Sequence, residues 1–116
     1  MKRKKYYGHP LFYKLTEQDI EVHNKKNYQY ASEKDPLGNF KRVGRLCHKI
    51  LNNPNVPDDL KVSMVFMAKQ IDAVYDIIGE GKTNTVEAVE DKFRDISVYA
   101  KINNIIYQEH YKENNS

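Results

Sequence analysis

Apolar residues recur every three or four positions along most of this chain, and no stretch alternates with a period of two for long enough to make a strand. Pro10 can open a first turn containing Leu11, Phe12 and Leu15, after which Thr16 and Asp19 resemble a variant capping box that restarts the helix and carries it to about Tyr30. Asp35-Pro36 places an N-cap side chain before a proline at the first helical position. The stripe Leu37, Phe40, Val43, Cys47, Ile50, Leu51 follows, and Pro54 stops it. Pro57 opens the next run, with Asp58 and Asp59 at the positive end of the helix dipole. Its series Leu60, Met64, Met67, Ile71, Val74, Ile78 alternates spacings of four and three until Gly79 and Gly81 end it. Asn84 with Glu87 caps a last run, where Val86, Val89, Phe93, Ile96 and Ala100 keep the alternation. The pattern predicts four helices, over 10–31, 36–53, 57–79 and 85–110, with short connections. The fold class is all-α, an antiparallel four-helix bundle.

A chain of 116 residues suffices for one domain with a modest core. The expected division is a basic tail over 1–9, a single helical domain over 10–111 and a frayed end over 112–116. Met64, Phe66 and Met67 lie at helical spacing and read as core rather than as a ligand pocket. The fourth helix carries Val98, Ile102, Ile105 and Ile106 besides its main stripe, more apolar surface than a small bundle covers alone. That surplus predicts a homo-oligomer, a dimer or tetramer, joined through this helix.

Composition changes the picture little: 30% charged and 40% apolar residues are ordinary for a folded domain. No apolar run reaches the roughly 18 residues that would span a bilayer, and the cationic start has no apolar stretch behind it. The lone Cys47 forms no internal disulfide, fits a reducing compartment, and lies in an apolar stripe as a core thiol. A cytoplasmic protein without a membrane partner is expected. Charge is more telling. Removing Lys2, Arg3, Lys4 and Lys5 from the net +3 leaves −1, so the basic character belongs to the tail. With no zinc spacing and no recognition-helix signature, no sequence-specific nucleic-acid reader is expected.

The chemistry concentrates between Lys25 and Arg42, where cations, amides and aromatic rings surround a helix–turn–helix junction. That mixture suits a phosphate and a flat ring. Lys26 and Arg42 are candidate phosphate contacts, against the alternative of solvated surface cations. Asn27 and Asn39 can read a base edge or ribose, or simply cap backbone groups. Tyr28 and Tyr30 can stack on a base, or one of them simply packs. His23 sits one turn before Asn27, while His9, His48 and His110 lack ligand spacing.

Acids supply the second candidate. Lys69, Asp72 and Asp76 share a face of the third helix; Glu87, Asp91 and Asp95 follow at intervals of four on the next, with Tyr99 one step beyond. Magnesium takes oxygen ligands and keeps several waters, so Asp72, Asp91 and Asp95 with substrate phosphates would suffice to hold it. The plain alternative is a solvated face, with Lys92 and Arg94 as ion-pair partners.

Three blocks, Lys26-Asn27-Tyr28-Gln29-Tyr30, Asp35-Pro36-Leu37-Gly38-Asn39-Phe40 and Glu90-Asp91-Lys92-Phe93-Arg94-Asp95-Ile96-Ser97-Val98-Tyr99-Ala100, carry a family resemblance. The chain resembles the nucleotide-modification-associated small helical proteins of bacteriophages, which are similar to the all-α nucleotide pyrophosphatases of the MazG type. The resemblance spans about Pro10 to Tyr107. It implies a MazG-like helical bundle that oligomerises, binds nucleotides through Lys26, Asn27, Tyr28, Tyr30, Asn39, Phe40, Arg42, Lys69 and Tyr99, and holds Mg2+ through acids on two helices. It also implies, for hydrolytic members, cleavage of nucleoside triphosphates to monophosphate and pyrophosphate.

Two positions depart from that pattern. Gln29 stands where relatives tend to have an acid, and Lys92 where a pyrophosphatase would often have Glu. An amide is no anionic metal ligand and no general base, and a lysine repels a cation. The expected function is therefore nucleotide binding without efficient turnover, a sequestering protein acting in the host cytoplasm if phage-encoded. The alternatives are a magnesium-dependent nucleoside triphosphate pyrophosphatase and a structural or partner-binding helical protein.

Overall fold

A computed structural model describes residues 7–112, so the basic run Lys2 to Lys5 and the closing Glu113 to Ser116 lie outside the described residues. Four helices form: α1 (Pro10–Tyr30), α2 (Gly38–Leu51), α3 (Asp58–Glu80) and α4 (Val86–Tyr111). No strand occurs among the described residues, as the spacing predicts. No helix is long and apolar enough to cross a membrane.

The helix ends differ from the sequence expectation in informative ways. His9, expected in the tail, is the N-cap of α1, its Nδ1 accepting from the Leu11 N–H at 3.0 Å. Thr16 restarts nothing: α1 is continuous, and the Thr16 hydroxyl donates back to the Phe12 carbonyl at 2.8 Å. Asp35-Pro36 forms a turn rather than a cap. The Gly38 N–H returns to the Asp35 carbonyl, the Asp35 carboxylate holds Lys41, and α2 begins at Gly38. Gly79 lies inside α3; Gly81 ends it in the left-handed conformation at φ 64°, with the Lys82 N–H reaching back to the Ile77 carbonyl. Asn84 takes the same rare conformation at φ 56°, so Thr85, not Asn84, precedes the first turn of α4.

Helix α3 is the hub, with α4, α2 and α1 each packed on it. α3 and α4 form an antiparallel hairpin: Asp59 meets His110 at one end, and Met67 meets Asn103 further along. Their seam buries Leu60, Val74 and Ile77. A fully buried Val or Ile contributes roughly 1.5–3 kcal/mol. Cys47 is buried between α2 and α3, and desolvation raises its thiol pKa, as suits a core side chain.

Helix α1 is the exception. It buries no residue of its own. Only its last turns reach the body, and its first half projects past the connection between α3 and α4. The chain is elongated, with extents of 73 × 35 × 22 Å although its longest helix has 26 residues, about 39 Å.

Candidate functional site

The junction between α1 and α2 is where the predicted residues gather, and charges from other helices hold it. The last carbonyls of α1 have no intrahelical donors, and two cations from elsewhere satisfy them. Arg42 on α2 donates to the Tyr30 carbonyl at 3.2 Å, and Lys82, just past α3, donates to the Ala31 carbonyl at 2.7 Å. Both cations are themselves anchored on α3. Arg42 forms a two-pronged pair with Asp72, at 2.7 and 3.0 Å, and lies 3.6 Å from Asp76; Lys82 bonds Asp76 at 2.7 Å. The hydrogen bond from Asp72 raises the Arg42 pKa further above an already high value. Arg42, expected on a phosphate, here pairs with two carboxylates and a backbone carbonyl.

Tyr30 is the pivot. Its ring carries two ammonium groups, Lys92 at 4.3 Å and Lys69 at 4.9 Å from the centroid. Lys92 is only 5% exposed, and its remaining partners are neutral: Gln29 Oε1 at 3.2 Å and the Tyr30 hydroxyl at 3.3 Å. The Tyr30 hydroxyl in turn donates to Gln70 Oε1 at 3.5 Å. Neither lysine has a carboxylate partner among the described residues, because Asp72 and Asp76 are taken by Arg42 and Lys82. Gln29 and Lys92, the two departures noted in the sequence, thus touch each other.

Two concavities flank this pivot. On one side, Asn39, Phe40, Val43, Cys47, Val65 and Lys69 help line an apolar hollow of about 250 Å³ between α2 and α3. Asn39 is buried and its Oδ1 has no hydrogen-bond partner, whereas the neighbouring Phe40 ring is 71% exposed. On the other side, His23, Asn27, Tyr28, Glu33, Lys82 and Thr83 help line an open crevice of about 600 Å³ between α1 and the α3–α4 turn. The Thr83 N–H donates to the Tyr28 hydroxyl at 3.0 Å, a bond that lowers the phenol pKa and fixes the ring over Lys82 at 5.6 Å.

The nucleotide residues expected from sequence therefore divide. Asn39, Phe40 and Lys69 share the hollow; Asn27 and Tyr28 share the crevice; Tyr30 lines neither, its ring lying under Lys69. Lys26 is exposed on α1 beside the crevice. Tyr99 is elsewhere, two turns along α4 from Lys92 and packed on Phe66 with centroids 6.0 Å apart. The expected metal set does not come together among the described residues. Asp72 is paired with Arg42, Asp91 is exposed and paired with Arg94, Asp95 is exposed, and no group of three or more potential ligands converges among the described residues. Spacing along one helix puts carboxylates on a face but does not say which face; here the buried side of α4 is the one bearing Lys92 and Asn103.

Sequence reasoning missed Lys82, Thr83 and Gln70, which tie α1 to the far end of α3. No local signal marks them, since their roles arise from contacts 40 to 55 residues away in sequence. No family model, no curated protein and no solved structure matches the chain.

Proposed function

We propose that this protein binds a nucleotide or nucleotide-derived signal and holds it without efficient turnover. The observation that carries the reading is the pair of ammonium groups on Tyr30, one buried, neither facing a carboxylate among the described residues. A buried ammonium left among neutral groups costs several kcal/mol of desolvation, and an incoming anion is the direct way to offset it. The adjoining hollow supplies what a flat ring needs: apolar walls, the exposed Phe40 ring for stacking, and the unpartnered Asn39 Oδ1 to accept an N–H or O–H. Lys69 lines the hollow and stands on the Tyr30 ring, so a ligand with its ring at Phe40 has its phosphate beside a cation.

The same geometry disfavours hydrolysis as the main activity. A magnesium-dependent pyrophosphatase needs free, convergent carboxylates, whereas Arg42 holds Asp72 through both oxygens and Lys92 brings a positive charge. The resemblance to phage nucleotide-modification-associated proteins gives this reading its setting, sequestration in a host cytoplasm. The test is to incubate the protein with nucleoside mono-, di- and triphosphates, with magnesium and with chelator, then denature it and identify what it releases. Unaltered nucleotide recovered equally from both conditions is expected, with Lys69→Ala weakening binding at least tenfold. No binding at millimolar nucleotide, or rapid pyrophosphate release with magnesium, would contradict it.

A further inference from the structure

The protomer leaves far too much surface uncovered for a chain of its size. Its accessible surface is 9534 Å², against ~6,600 Å² for a compact monomer of this mass. Its radius of gyration is 19.2 Å, against ~13 Å for a compact domain of this length. Each partner in a standard interface contributes about 800 Å², so a third of the surplus would already suffice. No large side chain is fully buried among the described residues, and of the seven buried apolar residues three are alanines.

The surplus has two matching halves. The first is the α1 arm. Tyr28 is fixed to Thr83 at the α3–α4 turn, so residues 10–22 lie beyond the body, an overhang of ~20 Å. Leu11 is four residues before Leu15, and Leu15, Val22 and Gln29 follow at intervals of seven, on one helix face. Gln29 is the member of that row that reaches Lys92 in the body. Leu11, Leu15 and Val22 continue the docking face of α1 into solvent, each about half exposed or more.

The second half is a bare shelf on the α3–α4 hairpin. The α1 end covers α3 near Gln70 and Ala73 and leaves the preceding turns open. There Val62 and Phe66 stand exposed, Phe66 against Tyr99, with the exposed Ile102 one turn beyond Tyr99 on α4. The shelf continues the groove that the end of α1 already occupies, so a helix with the α1 stripe fits it.

We infer that the arm of one protomer lies on the α3–α4 shelf of a second copy of the chain, the two arms being exchanged reciprocally to complete a helical bundle in trans. The occupant is a second copy because this chain's own arm carries an unpaired stripe of matching face and length, and because the surplus fits a two-fold interface that uses arm and shelf twice. This extends the sequence expectation of self-association: the apolar face of α4 takes part, but it receives α1 rather than another α4.

Light scattering on the full chain at tens of micromolar tests it. A mass of twice the chain or a multiple of that is expected, and a monomer overturns the proposal. Leu15→Glu removes nothing from the protomer's own core, because α1 buries no residue, so a shift of this variant toward monomer with its helix signal kept is expected. Phe66→Lys should do the same, and mixing the two variants should restore a mixed dimer through one Glu–Lys pair across an arm and a shelf. A native mass retained by Leu15→Glu overturns the role of the arm. Failure of the mixture to re-form a dimer while each variant pairs normally with native chain overturns the arm-on-shelf geometry. Neither result depends on whether the protein binds nucleotide.

Discussion

The two ends of α1 share one helix and one face, yet only one is held. At the C-terminal end, Arg42 and Lys82 cap the carbonyls, Gln29 meets Lys92, and Tyr28 and Tyr30 bond across to residues beyond the turn and on α3. At the N-terminal end Leu11, Leu15 and Val22 carry the same stripe outward, each about half exposed or more. What differs is length: α3 ends at Glu80, and α1 runs on past it. Polar groups therefore anchor the helix, and its apolar part stays exposed.

The largest effect should come from breaking the anchored end. Asp72→Ala leaves Arg42 with only the longer contact to Asp76, and the Tyr30 carbonyl loses an oriented donor. Breaking a buried pair costs about 3–5 kcal/mol; since the Arg42 side chain stays 35% exposed, about 2 kcal/mol in denaturant unfolding is expected here. The same experiment on the arm sharpens the contrast. Leu15→Ala should cost under about 0.5 kcal/mol at high dilution, as for an exposed position, and about 2 kcal/mol or more where the arm is buried on a partner. A loss independent of protein concentration would remove the difference between the two ends.

Lys92→Met separates stability from function at the anchored end. Replacing a buried ammonium by an apolar chain of similar length is commonly neutral or stabilising. The variant should unfold within about 1 kcal/mol of the native protein or above it, yet lose nucleotide. A large destabilisation would mean that Lys92 serves the fold alone.

The four helices were legible in the sequence to within two residues at each end, because their signals are local: three-four alternation, Pro57, and the glycine after α3. Cap identities were less so. Asp35-Pro36 has the composition of a helix start, but Ser32 and Lys41 draw it into a turn. The candidate site was legible as a region and not as an arrangement. Asn39, Phe40 and Lys69 meet around one hollow as their types suggest, whereas Arg42 and Asp72 neutralise each other across 30 residues, which no spacing rule reveals. Gln29 and Lys92 were noticed as losses, and only their contact makes them a pair.

The smallest effect concerns the far end of the α3–α4 hairpin, where the hydrogen bond from His110 holds the Asp59 carboxyl below its ordinary pKa. A depressed carboxyl adds stability above its unfolded pKa and loses it as pH falls through the folded value. His110→Ala should therefore move the Asp59 titration upward, read by carbon-detected magnetic resonance, while leaving the helices and the Tyr30 site unchanged. An unmoved titration would show that the pairing does not persist in solution.

The most direct test of the central claim, that unpaired lysines rather than a metal ion hold the anion, is calorimetric titration of the preferred nucleotide into native protein and Lys92→Met, each with magnesium and with chelator. The account predicts binding by the native protein that survives the chelator within a few-fold, loss of at least tenfold in the variant under both conditions, and nucleotide recovered intact. Binding that vanishes with the chelator and is kept by Lys92→Met would contradict it.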